Sequence, residues 1–206
     1  MSSSISTSRP AANVAVGIGI GIAVGLVAPK PVTSWRKKSS SSNPRAVRTG
    51  LASGIQMSCD NLDDFVSQIL VATGCTPEGA QLVANVLSHA DRRGIPSCGV
   101  NRADVCVNEI QASLVDPQAV PVVENCSGAT AVVHDHNGLG AVTSKLAMET
   151  TLKMAQQHGV ALVTCHASNN CGAAGQWAQM ALDQGCIGML FANTSLFAVS
   201  KRSRVQ

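Results

Sequence analysis

Apolar positions beyond residue 56 recur first at helical and then at mixed spacing. Leu62, Phe65, Val66, Ile69 and Leu70 fall three and four apart after an acidic start at Asp60 and Asp63, which predicts an amphipathic helix that Gly74 ends. Thr76-Pro77-Glu78 opens a second helix with proline suited to its first position; Leu82, Val83, Val86 and Leu87 mark its buried stripe, and Gly94 closes it. A third helix is predicted over 105–114, stopped by Asp116-Pro117. A short strand follows at 131–133 and runs into H-D-H-N-G-L-G at 134–140, a turn-rich loop. Next come a long helix over 142–155 ending near Gly159, a strand over 160–165, a glycine loop over 168–175, a helix over 177–182 and a strand over 187–192. The alternation predicts an α/β fold, with an N-terminal helical segment followed by an α-β sheet joined by helical crossovers.

Residues 1–56 have another character. Residues 14–28 are all apolar or glycine, short of the roughly 20 residues that span a bilayer unless Ala11 and Ala12 are added. Gly17, Gly21 and Gly25 would line one face of a helix, as in close-packed membrane helices. They do not fit the G-x-G-x-x-G of a dinucleotide loop, and no strand is predicted before them. The following W-R-K-K-S-S-S-S at 35–42 is basic, serine-rich and free of acids. The segment therefore reads as an address outside the fold: a mitochondrial presequence, or an anchor through residues 11–28 that leaves the folded part facing the cytosol, with a cytoplasmic protein as the remaining case.

Charge divides at the same place. Seven Lys and Arg precede the first acid, Asp60, leaving eight bases against twelve acids beyond it. The overall +3 thus describes neither part and gives no reason to expect nucleic acid on the folded one. The eight cysteines include no C-x-x-C pair and fall mostly within apolar patterns, as free thiols of a reducing compartment do. Cys165, His166 and Cys171 come nearest to a metal set but lack the paired spacing of a structural zinc site, so no metal is expected.

Two stretches resemble the malate/L-lactate dehydrogenase family outside the Rossmann group, which includes ureidoglycolate dehydrogenase and piperideine-2-carboxylate reductase. A-D-R-R-G-I-P-S-C-G-V-N-R at 90–102 is similar to the family's A-D-x-R-G-x-x-S-H-G-x-x-R. N-G-L-G at 137–140, S-N-N-C-G at 168–172 and N-T-S at 193–195 follow in the order of the family's N-G-x-G, S-N-H-F-G and N-T-S. The likeness spans about residues 57–195, and the ordered series is more specific than any one motif. It implies hydride transfer between NAD or NADP and a small 2-oxo or 2-hydroxy acid, a cofactor domain of the family's own type, and a homo-oligomer, usually a dimer. It also implies Arg102 as the substrate carboxylate's cation with Ser97 beside it, and Thr194, flanked by Asn193 and Ser195, as the cofactor contact. A guanidinium suits a carboxylate because its planar fork bonds both oxygens.

The chain departs from the pattern where protons move. The histidine of S-N-H-F-G is Asn170, whose amide exchanges no proton near neutral pH; the histidine of S-H-G is Cys98, and a family tyrosine corresponds to Cys106. Loss of one positioned acid/base removes about 10²- to 10⁴-fold of rate. His166, four residues before Asn170, is expected in the same cleft as a substitute donor, whereas structural roles are expected for His89, His134, His136 and His158. After residue 195 the family's proline- and glycine-rich loop gives way to a divergent basic tail over 196–206, which reads as a C-terminally truncated domain. The alternative is accordingly a non-catalytic remnant, or a paralogue that pairs with a complete homologue.

Overall fold

The computed structural model describes residues 20–27 and 57–192. Strand β1 (Ile20–Val27) precedes helices α1 (Cys59–Ala72) and α2 (Pro77–Arg92), and two single 3₁₀ turns (Pro96–Cys98, Val100–Arg102) lead into α3 (Ala103–Gln111). Strands β2 (Val122–Ser127) and β3 (Thr130–His134), helix α4 (Gly140–His158), strand β4 (Val160–His166), helix α5 (Ala174–Asp183) and strand β5 (Cys186–Gly188) follow.

The helices form where the periodicity predicts them, with local corrections. The Ser58 hydroxyl, not Asp60, caps α1 by accepting from the Asn61 amide at 3.3 Å. Asp63 is instead buried and accepts from the Arg92 guanidinium at 3.0 Å, tying α1 to α2. Thr76 caps α2 through the Gly79 amide, with Pro77 in the first turn. Helix α3 begins two residues before its predicted start and ends at Gln111, so Leu114 lies beyond it.

Five strands form one sheet in the order β2-β3-β4-β1-β5. Strands β2 and β3 pair antiparallel around Gly128, whose φ of +55° suits a tight turn. Strand β2 was not predicted, because Glu124 and Asn125 interrupt its apolar pattern and a bulge between Val123 and Asn125 breaks its period of two. Strands β3 and β4 are parallel, joined through α4. The predicted strand over 187–192 is reduced to Cys186–Gly188.

The larger correction concerns the N-terminal segment. Residues 20–27 lie in the sheet between β4 and β5, antiparallel to both, with Ile22 opposite Val163. Their sequence shows why: Ile20, Ile22, Val24 and Leu26 alternate with Gly21, Ala23 and Gly25, a period of two rich in β-branched residues and poor in helix formers. Among the described residues no helix is long and apolar enough to cross a membrane. The remainder of the expected anchor, residues 11–19 and 28, lies outside the described residues, as does the basic stretch at 35–42.

The helices cover one face of the sheet. Ala131, Val133, Ala161, Val163 and Cys165 point inward and are buried with Met148 and Ala147 of α4, Leu70 of α1, Val86 of α2 and Trp177 of α5. Their alternating neighbours on β4, Val160 and Leu162, are exposed on the other face. Because Ile22 pairs with the middle of β4, Ile22→Pro removes a backbone donor from an internal strand. The expected outcome is a loss of about 1–3 kcal/mol in urea unfolding and faster amide exchange over β4. Unchanged exchange there would mean that residues 20–27 do not pair with β4.

Candidate active-site cleft

Three parts of the chain converge on one cleft: the 3₁₀ turns with α3, the start of α4, and the loop after β4. The turns are set by Asp91, whose carboxylate accepts from the Val100 amide at 2.8 Å. This ties the A-D-R-R-G motif to S-C-G-V-N-R. The Arg102 Nε then donates to the Ser97 carbonyl at 2.9 Å, which fixes the direction of the guanidinium stem. Cys98, Arg102, Cys106 and Glu109 line the cleft from this side, and Val83, Val86 and Leu87 of α2 form an apolar wall.

The opposite wall is an interlock of two loops. The Asn137 amide donates to the Ala167 carbonyl at 2.7 Å, and the Asn169 side-chain amide donates to the Gly138 carbonyl at 2.8 Å. Asn137 also donates from its side chain to the Leu114 carbonyl at 2.7 Å, anchoring the turn after α3 to the same loop. Gly140 begins α4 so close to the carbonyls of Asn169 and Asn170 that a Cβ would overlap both. The Asn170 side-chain oxygen accepts from the Gly172 amide at 2.9 Å, closing the loop on itself. Gly172 has a φ of +75°, and a Cβ there would run into Val86.

Beneath the interlock Asp135 is fully buried. It accepts from the Ser168 hydroxyl at 2.6 Å, with the buried Thr143 hydroxyl as its other polar neighbour. Burial raises its carboxyl above the usual range, and the Ser168 and Thr143 side chains, then the charges of His136 and His134, oppose that rise.

The structure brings together Arg102, Cys98 and Asn170 around one cleft. Ser97 is not on the lining; its carbonyl serves Arg102 instead. Asn193, Thr194 and Ser195 lie outside the described residues. His166 is not in the cleft, correcting its expected place as a substitute donor. On β4 Cys165 points inward, so the alternation turns His166 to the other face, where its Nε2 lies 2.9 Å from Glu124. The same alternation separates Cys165 from His166 as ligands of one site. Sequence reading missed Glu109, which follows Arg102 and Cys106 by seven and three residues on one helical face.

Two features make the cleft attractive to an anion. Arg102 forms no ion pair among the described residues. Gly140 and Ala141 also bring the first turn of α4 to the lining, a turn with no capping side chain and no acid of its own, although the Glu109 carboxylate lines the same cleft. Proton donors are scarcer. Burial, and next the neighbouring Glu109 carboxylate, push the Cys106 thiol up to about 11, so it keeps its proton at neutral pH.

A profile of the malate/L-lactate dehydrogenase family matches residues 57–205. The chain belongs to that family. It is 31% identical over 135 residues to L-sulfolactate dehydrogenase of Methanocaldococcus jannaschii, covering 66% of this chain and 39% of the relative. It is 32% identical over 135 residues to ureidoglycolate dehydrogenase (NAD(+)) of Escherichia coli, with the same shares, 66% and 39%. The solved malate dehydrogenase of Pyrococcus horikoshii superposes with a TM-score of 0.61 at 32% identity, over 64% of this chain and 38% of that one. The chain thus spans about 39% of the length of these curated relatives. Residues 90–102, 137–140 and 168–172, which carry the sequence resemblance, are the ones the fold gathers around the cleft.

Two variants test how the cleft is held. Gly140→Ala should cost about 1–3 kcal/mol in chemical denaturation, because α4 or the 169–170 backbone must give way. Asp135 carries a pH signature. Its raised carboxyl keeps a proton in the folded state that the unfolded state has released, so stability falls as pH rises from the ordinary carboxyl range through the raised value. Asp135→Asn should flatten that part of the stability profile; an unchanged slope would assign it to other groups.

Proposed function

We propose that this chain supplies the substrate-side half of a 2-hydroxy-acid oxidoreductase site, in which NAD or NADP exchanges a hydride with a small 2-oxo or 2-hydroxy acid. The observation that carries the reading is one cleft holding both Arg102 and the uncapped start of α4. A carboxylate fits there: the guanidinium offers paired donors, the helix start adds the positive end of its dipole, and the apolar wall of α2 raises the strength of both by excluding water. The names of the relatives, sulfolactate, malate and ureidoglycolate dehydrogenases, support an acid of this class.

The cofactor would supply the hydride when bound. Asn193, Thr194 and Ser195 are the residues proposed to contact it. What the described residues do is bind and orient the acid: Arg102 holds the carboxylate, the Ser97 carbonyl holds Arg102, Asp91 holds the preceding turn through the Val100 amide, and the Asn169 to Gly138 contact fixes the facing wall. Proton transfer is the weak step. Cys106 would be thiolate in only about one molecule in 10⁴ at pH 7, so it is a poor base for oxidising an alcohol.

Asn170 favours a second reading, a non-catalytic paralogue that binds ligand or pairs with a complete homologue. Its side-chain oxygen is already committed to the Gly172 amide, so it serves loop closure rather than proton transfer. The basic serine-rich stretch at 35–42 supports an organellar address for either.

A fluorescence titration of the full chain with NADH and NADPH, repeated with a panel of 2-oxo acids, separates the two. Saturable binding of cofactor and acid is expected. Arg102→Ala should weaken the acid by about 10- to 100-fold, the worth of a charge-assisted hydrogen bond, and leave the cofactor nearly untouched. Asn170→His with Cys98→His should raise turnover by about 10²- to 10⁴-fold. Binding without turnover even in the double variant would favour the paralogue, and no binding by a folded sample would sink the oxidoreductase reading.

A further inference from the structure

On the face of the sheet turned away from the helices, we propose that Glu124, His134 and His166 form a binding site for a divalent transition ion of the zinc class. His134 ends β3 and His166 ends β4, and the two are register partners in the parallel pair. Their rings meet edge to face with centroids 4.4 Å apart. Glu124 comes from β2, at the bulge between Val123 and Asn125, and its Oε2 lies 2.9 Å from His166 Nε2. Each of the three residues offers one ligand atom within 4.8 Å of the others.

The donor set chooses the ion. Two imidazoles and one carboxylate suit a borderline divalent ion such as Zn(II), whereas Mg(II) and Ca(II) favour oxygen alone. With metal–ligand bonds of about 2.0–2.1 Å, tetrahedral ligand atoms stand about 3.4 Å apart, so the three need to adjust by roughly an ångström. They are free to do so: the side chains of His166 and Glu124 are 40% and 39% exposed. The backbone beneath them is not free, because the histidines stand on paired strands. The fourth position is left to water.

Binding exchanges protons for metal without other chemistry. His166 and Glu124 share one ring proton across 2.9 Å, and an ion entering at that nitrogen displaces it. His134 Nδ1 accepts from the His136 amide at 2.9 Å. An ion at Nδ1 takes the place of that amide; an ion at Nε2 moves the ring proton to Nδ1, which can then no longer accept. Either way the His136 amide loses its acceptor, a signature specific to this site.

Calorimetric titration of the full chain with ZnCl₂ should show one saturable site, and Co(II) should give visible bands without the intense near-ultraviolet band of thiolate ligation. His166→Ala should weaken Zn(II) at least 10-fold; should it fail to fold, the exposed Glu124→Gln should weaken binding by a smaller factor on an intact sheet. The His136 amide resonance should move on Zn(II) addition in the wild-type chain and need correspondingly more Zn(II) to move in the variants. Zinc bound equally well by folded variants, a thiolate band with Co(II), or no saturable binding would each overturn the site. Loss of the dehydrogenase reading would leave it untouched, since none of its residues lines the cleft.

Discussion

The fold around the cleft depends on the close approach of two loops, 135–140 and 167–172. Backbone groups do the joining: Asp135 donates to His166, and Asn137 to Ala167. These are the same groups that would lengthen the parallel β3/β4 ladder if the strands ran on. The chain instead turns there, with His136 and Asn137 at φ of 54° and 63° and Ala167 at 49°. Such conformations are unfavourable for residues other than glycine, so they persist only because surrounding contacts fix them. The Asn169 amide on Gly138, the Asn137 amide on Leu114 and the buried Asp135 beneath are those contacts. With no room for a Cβ at Gly140, α4 starts flush against the second loop, and its first turn, which has no side-chain cap, lies on the cleft.

The geometry of the cleft is therefore held largely by backbone and by residues that match the family, while the departures at Asn170 and Cys98 fall on the lining itself. Asn170 and Cys98 line the cleft, and Asn170 adds a hydrogen bond to Gly172. Replacing an imidazole by an amide at such a place changes proton chemistry and spares the architecture.

The helices were legible because their signals are local. Thr76-Pro77 and the stripe Val83, Val86, Leu87 need no knowledge of distant residues. What was not legible depended on pairing. Strand β2 carries Glu124 and Asn125 at a bulge, so its periodicity fails where the partner strand explains it. Strand β1 reads as a membrane segment because Gly17, Gly21 and Gly25 recur every fourth residue; only the neighbours β4 and β5 reveal that the alternation of Ile20, Ile22 and Val24 is the pattern that matters. The cleft's motifs could be named from sequence, and Arg102, Cys98 and Asn170 do meet. His166 was misplaced by counting residues from Asn170, when the parity of a strand decides which face a side chain takes.

That parity has a further consequence. Cys165 and Val163 face the helices, His166 and Thr164 face away, and the register pairs His134 with His166. The imidazole cluster and the cleft thus lie on opposite sides of the same two strand ends. Asn137 and Asn169, each three residues beyond one of those histidines, interlock to form the cleft wall. The exposed side chains of His166 and Glu124 can adjust on the outer face, whereas the loops on the inner face are joined through backbone and leave no room for a Cβ at Gly140, so the paired strands set the spacing between α4 and Asn170.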